Sequence, residues 1–66
     1  MKPLRYPNIE AERVRLGYTQ DEFAKELGVV RKTLYNWTHS GRIPRSKIIK
    51  ISALTGKSVD YLLNRT

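Results

Sequence analysis

The chain has no cysteine, so neither a disulfide nor a thiolate metal site can hold it together. It has one histidine, His39, which leaves any zinc-type cluster without a second imidazole, and no metal site is expected. Catalysis has equally little to stand on. Ser40, Ser46, Ser52 and Ser58 are present, but one histidine with no evident carboxylate to orient it makes a poor nucleophile–base pair. No enzyme activity, cofactor or small-molecule ligand is expected. Long apolar runs are also missing. Nothing approaches the ~18 residues of a membrane span, and the opening MKPLRYPN has charge but lacks the apolar core of a signal peptide. A cytoplasmic, untargeted protein is the expectation. Acidic residues are scarce as well. Six Asp and Glu stand against thirteen Lys and Arg, giving a net charge of +7 and a pI near 10.2. A polyanion is therefore the first partner to consider, ahead of an anionic membrane or an acidic protein surface.

Sixty-six residues give room for one domain with a small core. A domain of this size buries only ~60% of its unfolded surface, so modest stability is expected. The most organised stretch runs from Thr19 to Trp37, TQDEFAKELGVVRKTLYNW. Thr19 with Glu22 three residues later forms a capping-box pattern. Phe23 and Leu27 are four apart and share one face of the helix that follows. Ala24 is small enough for a second helix to cross close by. Gly28 ends the helix where a left-handed backbone is cheapest. Leu34 and Trp37, three apart, face back toward Phe23 and Leu27. This is the pattern of a helix-turn-helix, whose second helix enters the DNA major groove.

The run Gln-x-x-Phe-Ala-x-x-Leu-Gly-Val, followed by Leu34 and Trp37, resembles the lambda-repressor/Cro-like (XRE) helix-turn-helix family. The ending GKSVDYLLNRT is similar to the closing helix of lambdoid phage repressor DNA-binding domains. The resemblance covers residues 8 to 64. It implies an all-α, compact five-helix bundle with the helix-turn-helix at helices 2 and 3. Residues 1–7 would form an N-terminal arm and residues 8–66 the DNA-binding domain. The function implied is a sequence-specific, double-stranded-DNA-binding transcription regulator, a phage-type repressor or Cro-like protein. In the family, the glutamine matching Gln20 binds a backbone phosphate and braces the recognition helix. The first turn of a helix, where Gln20 falls, also attracts anions.

Within this frame the remaining helices can be read in order. Asn8 should cap helix 1, which runs to about Leu16 and stops at Gly17, with Ile9, Arg13 and Leu16 facing inward. Arg13 is the odd member. In related repressors an arginine here pairs with an acidic residue on the recognition helix, and Thr38 occupies that position. Arg13 should therefore snorkel or find another carboxylate, with Glu12 the nearest candidate. Asp21, Glu22 and Glu26 should turn the outer face of helix 2 away from DNA. Before helix 1, Lys2 and Arg5 either belong to a frayed arm or reach a phosphate or the minor groove.

Helix 3 should span Val30 to Ser40, with Val30, Leu34 and Trp37 on its inner stripe. Trp37 belongs to the core rather than to base stacking. Lys32, Tyr35, Asn36 and His39 form the outer stripe, with Arg31 on its flank. Arg31, Lys32 and Thr33 near the helix start, and Asn36 one turn on, are the candidate base readers. Arg or Lys can pair with guanine O6/N7, Asn with adenine N6/N7, and Thr offers a methyl or a hydroxyl. These positions also match the family's base-reading positions. Gln20, Tyr35, His39, Arg42 and Arg45 are the candidate phosphate contacts, the last two on the basic connector GRIPRSK.

Helix 4 should run from Ser46 to Thr55, turning Ile48, Ile51, Ser52 and Thr55 inward, with Gly56 closing it. Helix 5, from Ser58 as cap to about Asn64, should bury Val59, Leu62 and Leu63. Lys47 and Lys57 stand where family dimers often carry apolar residues, so the expected homodimer is weak and formed on DNA. Ile49 and Leu54 could add some contact. Two other readings compete. The helix-turn-helix could serve a protein partner, as in an antitoxin or adaptor, or the basic, aromatic helix 3 could lie on a membrane surface.

Overall fold

The computed structural model describes residues 4–39 and 41–64. Lys2 of the arm, Ser40 at the expected end of helix 3, and residues 65–66 lie outside them. Among the described residues five helices follow in order: α1 (Pro7–Arg15), α2 (Gln20–Glu26), α3 (Arg31–His39), α4 (Arg45–Thr55) and α5 (Val59–Leu62). The all-α, five-helix expectation holds.

The capping box forms as read. Thr19 N donates to Glu22 Oε1 at 2.8 Å, and Glu22 N donates to Thr19 Oγ1 at 3.1 Å. The Thr19 N–H foremost, and then the Thr19 side chain, hold the Glu22 carboxyl below its ordinary range against the opposing effect of burial. At the other end of α2, Gly28 adopts φ 74°, a left-handed backbone that turns the chain into α3. The turn is also held from outside. Lys47 on α4 donates its Nζ to the Leu27 carbonyl at 2.8 Å, satisfying one of the free carbonyls at the end of α2. The sequence reading placed Lys47 in a dimer patch, but its ammonium is engaged within its own chain.

Phe23, Ala24 and Leu27 of the α2 segment pack against Leu34 and Trp37 of α3. Ile9, Ile48, Ile51 and Leu62 complete a single core, and the molecule measures 24 × 23 × 22 Å. Glycine closes α4 as expected, at Gly56. Ser52 is only half-buried and donates its Oγ to the Lys57 carbonyl at 2.6 Å. Ser58 caps α5 by accepting from Tyr61 N at 3.1 Å, but that helix stops at Leu62 rather than reaching Asn64. Leu62 is buried, while Val59 and Leu63 are half-buried.

Helix α1 departs most from the sequence reading. It starts at Pro7, whose fixed φ and missing N–H suit a first helical position. Asn8 is not its cap. The Asn8 amide instead donates to the Tyr61 carbonyl at 2.7 Å, tying α1 to α5. The helix ends at Arg15, so Leu16 is 36% exposed and Glu12 occupies the inner face. Arg13 pairs with Glu10, not Glu12, and donates Nη1 to the Tyr18 carbonyl at 2.6 Å. Glu12 is buried yet fully partnered. Arg15 Nε donates to its Oε1 at 2.7 Å, and the Tyr61 hydroxyl donates to its Oε2 at 3.2 Å. Arg15 Nη2 continues to the Thr55 carbonyl at 3.1 Å, so one cluster links α1, α4 and α5.

The hydrogen bond from Arg15 holds the Glu12 carboxyl below its ordinary value, outweighing the opposing effect of burial. The charges of Arg15 and Lys57 and the Tyr61 hydroxyl act in the same direction as that bond. Burial and the neighbouring Glu12 push the Tyr61 hydroxyl up. A carboxyl depressed on folding stabilises the fold above its ordinary value of 4.5, and that contribution disappears as pH falls through the folded value. The melting temperature should therefore drop in acid. Glu12→Gln should melt lower than the unsubstituted chain at neutral pH, with the gap narrowing in strong acid. Thermal melts of both proteins across the acid range check this, and a gap independent of pH would contradict it.

Candidate nucleic-acid interface

On α3 the apolar positions decide which face remains for a ligand. Leu34 and Trp37 are turned into the core, at 5% and 7% exposure. Arg31, Lys32, Tyr35 and Asn36 are consequently exposed, whereas Thr33 and His39 are half-buried. Val30 does not join the inner stripe as the periodicity predicted. It precedes the first turn, where its carbonyl accepts from Thr33 N and Leu34 N, and its side chain is 67% exposed. Helical spacing does not extend back to a residue that lies outside the helix.

The far end of α3 is tied down by several bonds. His39 stacks on Tyr35, with ring centroids 3.8 Å apart and planes 16° from parallel. Its Nδ1–H donates to the Tyr35 carbonyl at 3.0 Å, since a carbonyl can only accept. Thr38 is buried, and its hydroxyl donates back to the Leu34 carbonyl at 3.2 Å. The Thr38 carbonyl accepts from Arg5 N at 2.7 Å and from Tyr6 N at 3.1 Å, fixing the described part of the arm to the last turn of α3. Gly41 then passes close to the helix. A Cβ there would lie 2.7 Å from the Asn36 carbonyl oxygen, so no larger residue fits without moving backbone.

An open cleft joins the two helices of the motif. It is lined by Gln20 and Asp21 from the start of α2 and by Val30, Arg31, Lys32 and Tyr35. Gln20, Arg31, Tyr35 and His39 also meet along a smaller depression beside it. The structure thus gathers five of the candidate phosphate and base contacts, Gln20, Arg31, Lys32, Tyr35 and His39, along one side of α3. Asn36 stands one turn beyond Lys32. Arg42 is exposed on the connector, and Arg45 is exposed as the first residue of α4. The N-terminal turn of α4 contains no acidic residue and has no side-chain cap, so its partial positive charge and the Arg45 guanidinium reinforce each other.

Two residues of this surface were missed by the sequence reading. Val30 had been placed inside; an exposed branched side chain beside Lys32 is suited to the thymine methyl group. Asp21 does not turn away from this surface as its charge predicts. It lines the cleft, and its Oδ1 lies 3.7 Å from Arg31 Nε. The available signal was its place next to Gln20 in the first turn of α2.

A positively charged helix face laid open beside a braced turn defines a helix-turn-helix DNA-binding domain. A helix-turn-helix family model matches residues 9–62. The chain belongs to the XRE-type, lambda repressor/Cro-like helix-turn-helix family and is a DNA-binding regulator of that type. No curated protein matches the chain significantly. No helix among the described residues is long and apolar enough to cross a membrane.

Proposed function

We propose that the chain is a sequence-specific transcription regulator of the phage repressor or Cro kind. It would read double-stranded DNA as a weak homodimer that forms on its site, in the cytoplasm of a bacterial or phage-infected cell. Arg31, Lys32, Thr33 and Asn36 read bases in the major groove. Gln20, Tyr35, His39, Arg42 and Arg45 contact phosphates. In this reading residues 1–7 act as the arm and the rest as the binding domain. One observation carries the reading: α3 is sealed by Leu34 and Trp37 on one side and offers Arg31, Lys32 and Asn36 on the other. Half-sites one helical turn apart are separated by ~34 Å, and each protomer spans 24 Å at most along its principal axes, so two occupy adjacent half-sites without clashing and any dimer contact comes from what projects between them. Ile49, half exposed on the outer side of α4, offers apolar area for such a contact.

Selection of bound duplexes from a random pool tests the proposal, and a partly palindromic motif is expected. Asn36→Ala should cost ~1–3 kcal/mol on the selected site and relax one base position. Arg45→Ala should weaken selected and random duplexes alike, because a phosphate contact carries no base information. A pool that yields no motif would overturn sequence-specific reading. Equal losses from both substitutions on selected and random DNA would overturn the division of roles.

A further inference from the structure

Asp21 is the one carboxylate lining the cleft among the described residues, and it stands where a polyanion would approach. A carboxylate there opposes phosphate binding, so its place in the cleft needs another account. The geometry supplies one. Asp21 Oδ1 lies 3.7 Å from Nε of Arg31, on the Nε side of the guanidinium, with both side chains largely exposed. Arginine has two donor edges: one includes Nε, and the other is formed by the two terminal nitrogens. Bidentate pairing with guanine O6/N7 needs only one of them. A carboxylate on the Nε side leaves the terminal nitrogens free and limits the directions in which they can point.

We infer that Asp21 is a positioning residue, which orients Arg31 so that its terminal nitrogens meet one guanine in the groove. The inference rests on α3 being a base-reading helix. In the free protein the pair is exposed to water and contributes little. On DNA, water leaves the cleft, the local dielectric falls and the same pair strengthens. Asp21 thus acts mainly in the bound state, and mainly on selectivity. Its negative charge also disfavours phosphate contacts that leave Arg31 unpaired with a base. Discrimination rises while non-specific binding falls.

The test is a set of binding selections and competition titrations with the unsubstituted chain, Asp21→Asn, Asp21→Glu, Arg31→Lys and the Asp21→Asn/Arg31→Lys pair. Lysine keeps the charge of Arg31 but not its two-edged fork. Asp21→Asn should lower the preference for guanine at a single motif position by about tenfold, within the range a bidentate base contact supplies. Binding to random duplex should hold or tighten, and the melting temperature should stay close to that of the unsubstituted chain. Asp21→Glu should recover part of the preference. Arg31→Lys should lose preference at that same position, and adding Asp21→Asn to it should change nothing further. Unchanged guanine preference in Asp21→Asn would overturn the inference, as would additive effects of the two substitutions. A uniform loss on selected and random duplex would overturn it too, since that would mark a structural role. If the unsubstituted chain selects no motif at all, the base-reading function itself fails; if it selects one that Asp21→Asn preserves, only the role of Asp21 fails.

Discussion

Phe23→Ala is expected to leave the chain unfolded at room temperature. Phe23 is fully buried where α2 meets α1 and α3, bordered by Ile9, Leu34 and Thr38, with the Tyr18 ring 5.6 Å away and tilted by 44°. Removing a buried phenylalanine side chain typically costs ~3–5 kcal/mol, part of it for the cavity left behind. A single core in a domain below about 70 residues rarely supplies more than ~3–5 kcal/mol in total. The cavity has little prospect of collapsing here. The surrounding backbone is fixed by the Thr19–Glu22 box and by the Lys47 bond to the Leu27 carbonyl. Far-UV circular dichroism should show loss of helix in this variant, while Phe23→Leu should still fold and melt somewhat lower. A cooperative melt of Phe23→Ala within a few degrees of the unsubstituted chain would mean that the core relaxes far more than its packing suggests.

Salt should have an effect of similar size on binding. With a net charge of +7 in so small a body, much of the affinity for DNA comes from displaced counterions. A bound dimer that neutralises about six phosphates gives a slope of log K against log salt near −5, so a fourfold rise in salt weakens binding by about a thousandfold. If Arg45 makes the proposed phosphate contact in each protomer of the proposed dimer, Arg45→Ala should reduce that slope by about two. Anisotropy titrations of the selected duplex at several salt concentrations measure both quantities. A nearly flat dependence would show that the exposed cations of α3 and the connector do not meet phosphates.

Much of this architecture was legible because it rests on local spacing. The Thr19–Glu22 box, the glycines at 28 and 56, and the Phe23/Leu27 and Leu34/Trp37 pairs each show in a few neighbouring residues of the chain. The misreadings share a different cause. Glu12 could not be recognised as an interior residue because Tyr61, one of its partners, is 49 positions away. Asn8 looked like a cap for the same reason, since the carbonyl it serves belongs to α5. Lys47 looked like a surface charge until α4 was laid against the end of α2. Within the candidate site, Arg31, Lys32 and Asn36 were found from their spacing relative to Leu34 and Trp37. Val30 was lost when helical periodicity was carried one residue too far. The sign of Asp21 argues against a place near DNA, and only the fold pairs it with Arg31.

The two amide bonds from Arg5 and Tyr6 to the Thr38 carbonyl stitch the segment ahead of α1 to the tail of the α3 rod. Leu4, next to that pair, therefore lies close to the last turn of α3 and not on the far side of the molecule. A dye placed at Leu4 would serve as a proximity gauge for an approaching duplex.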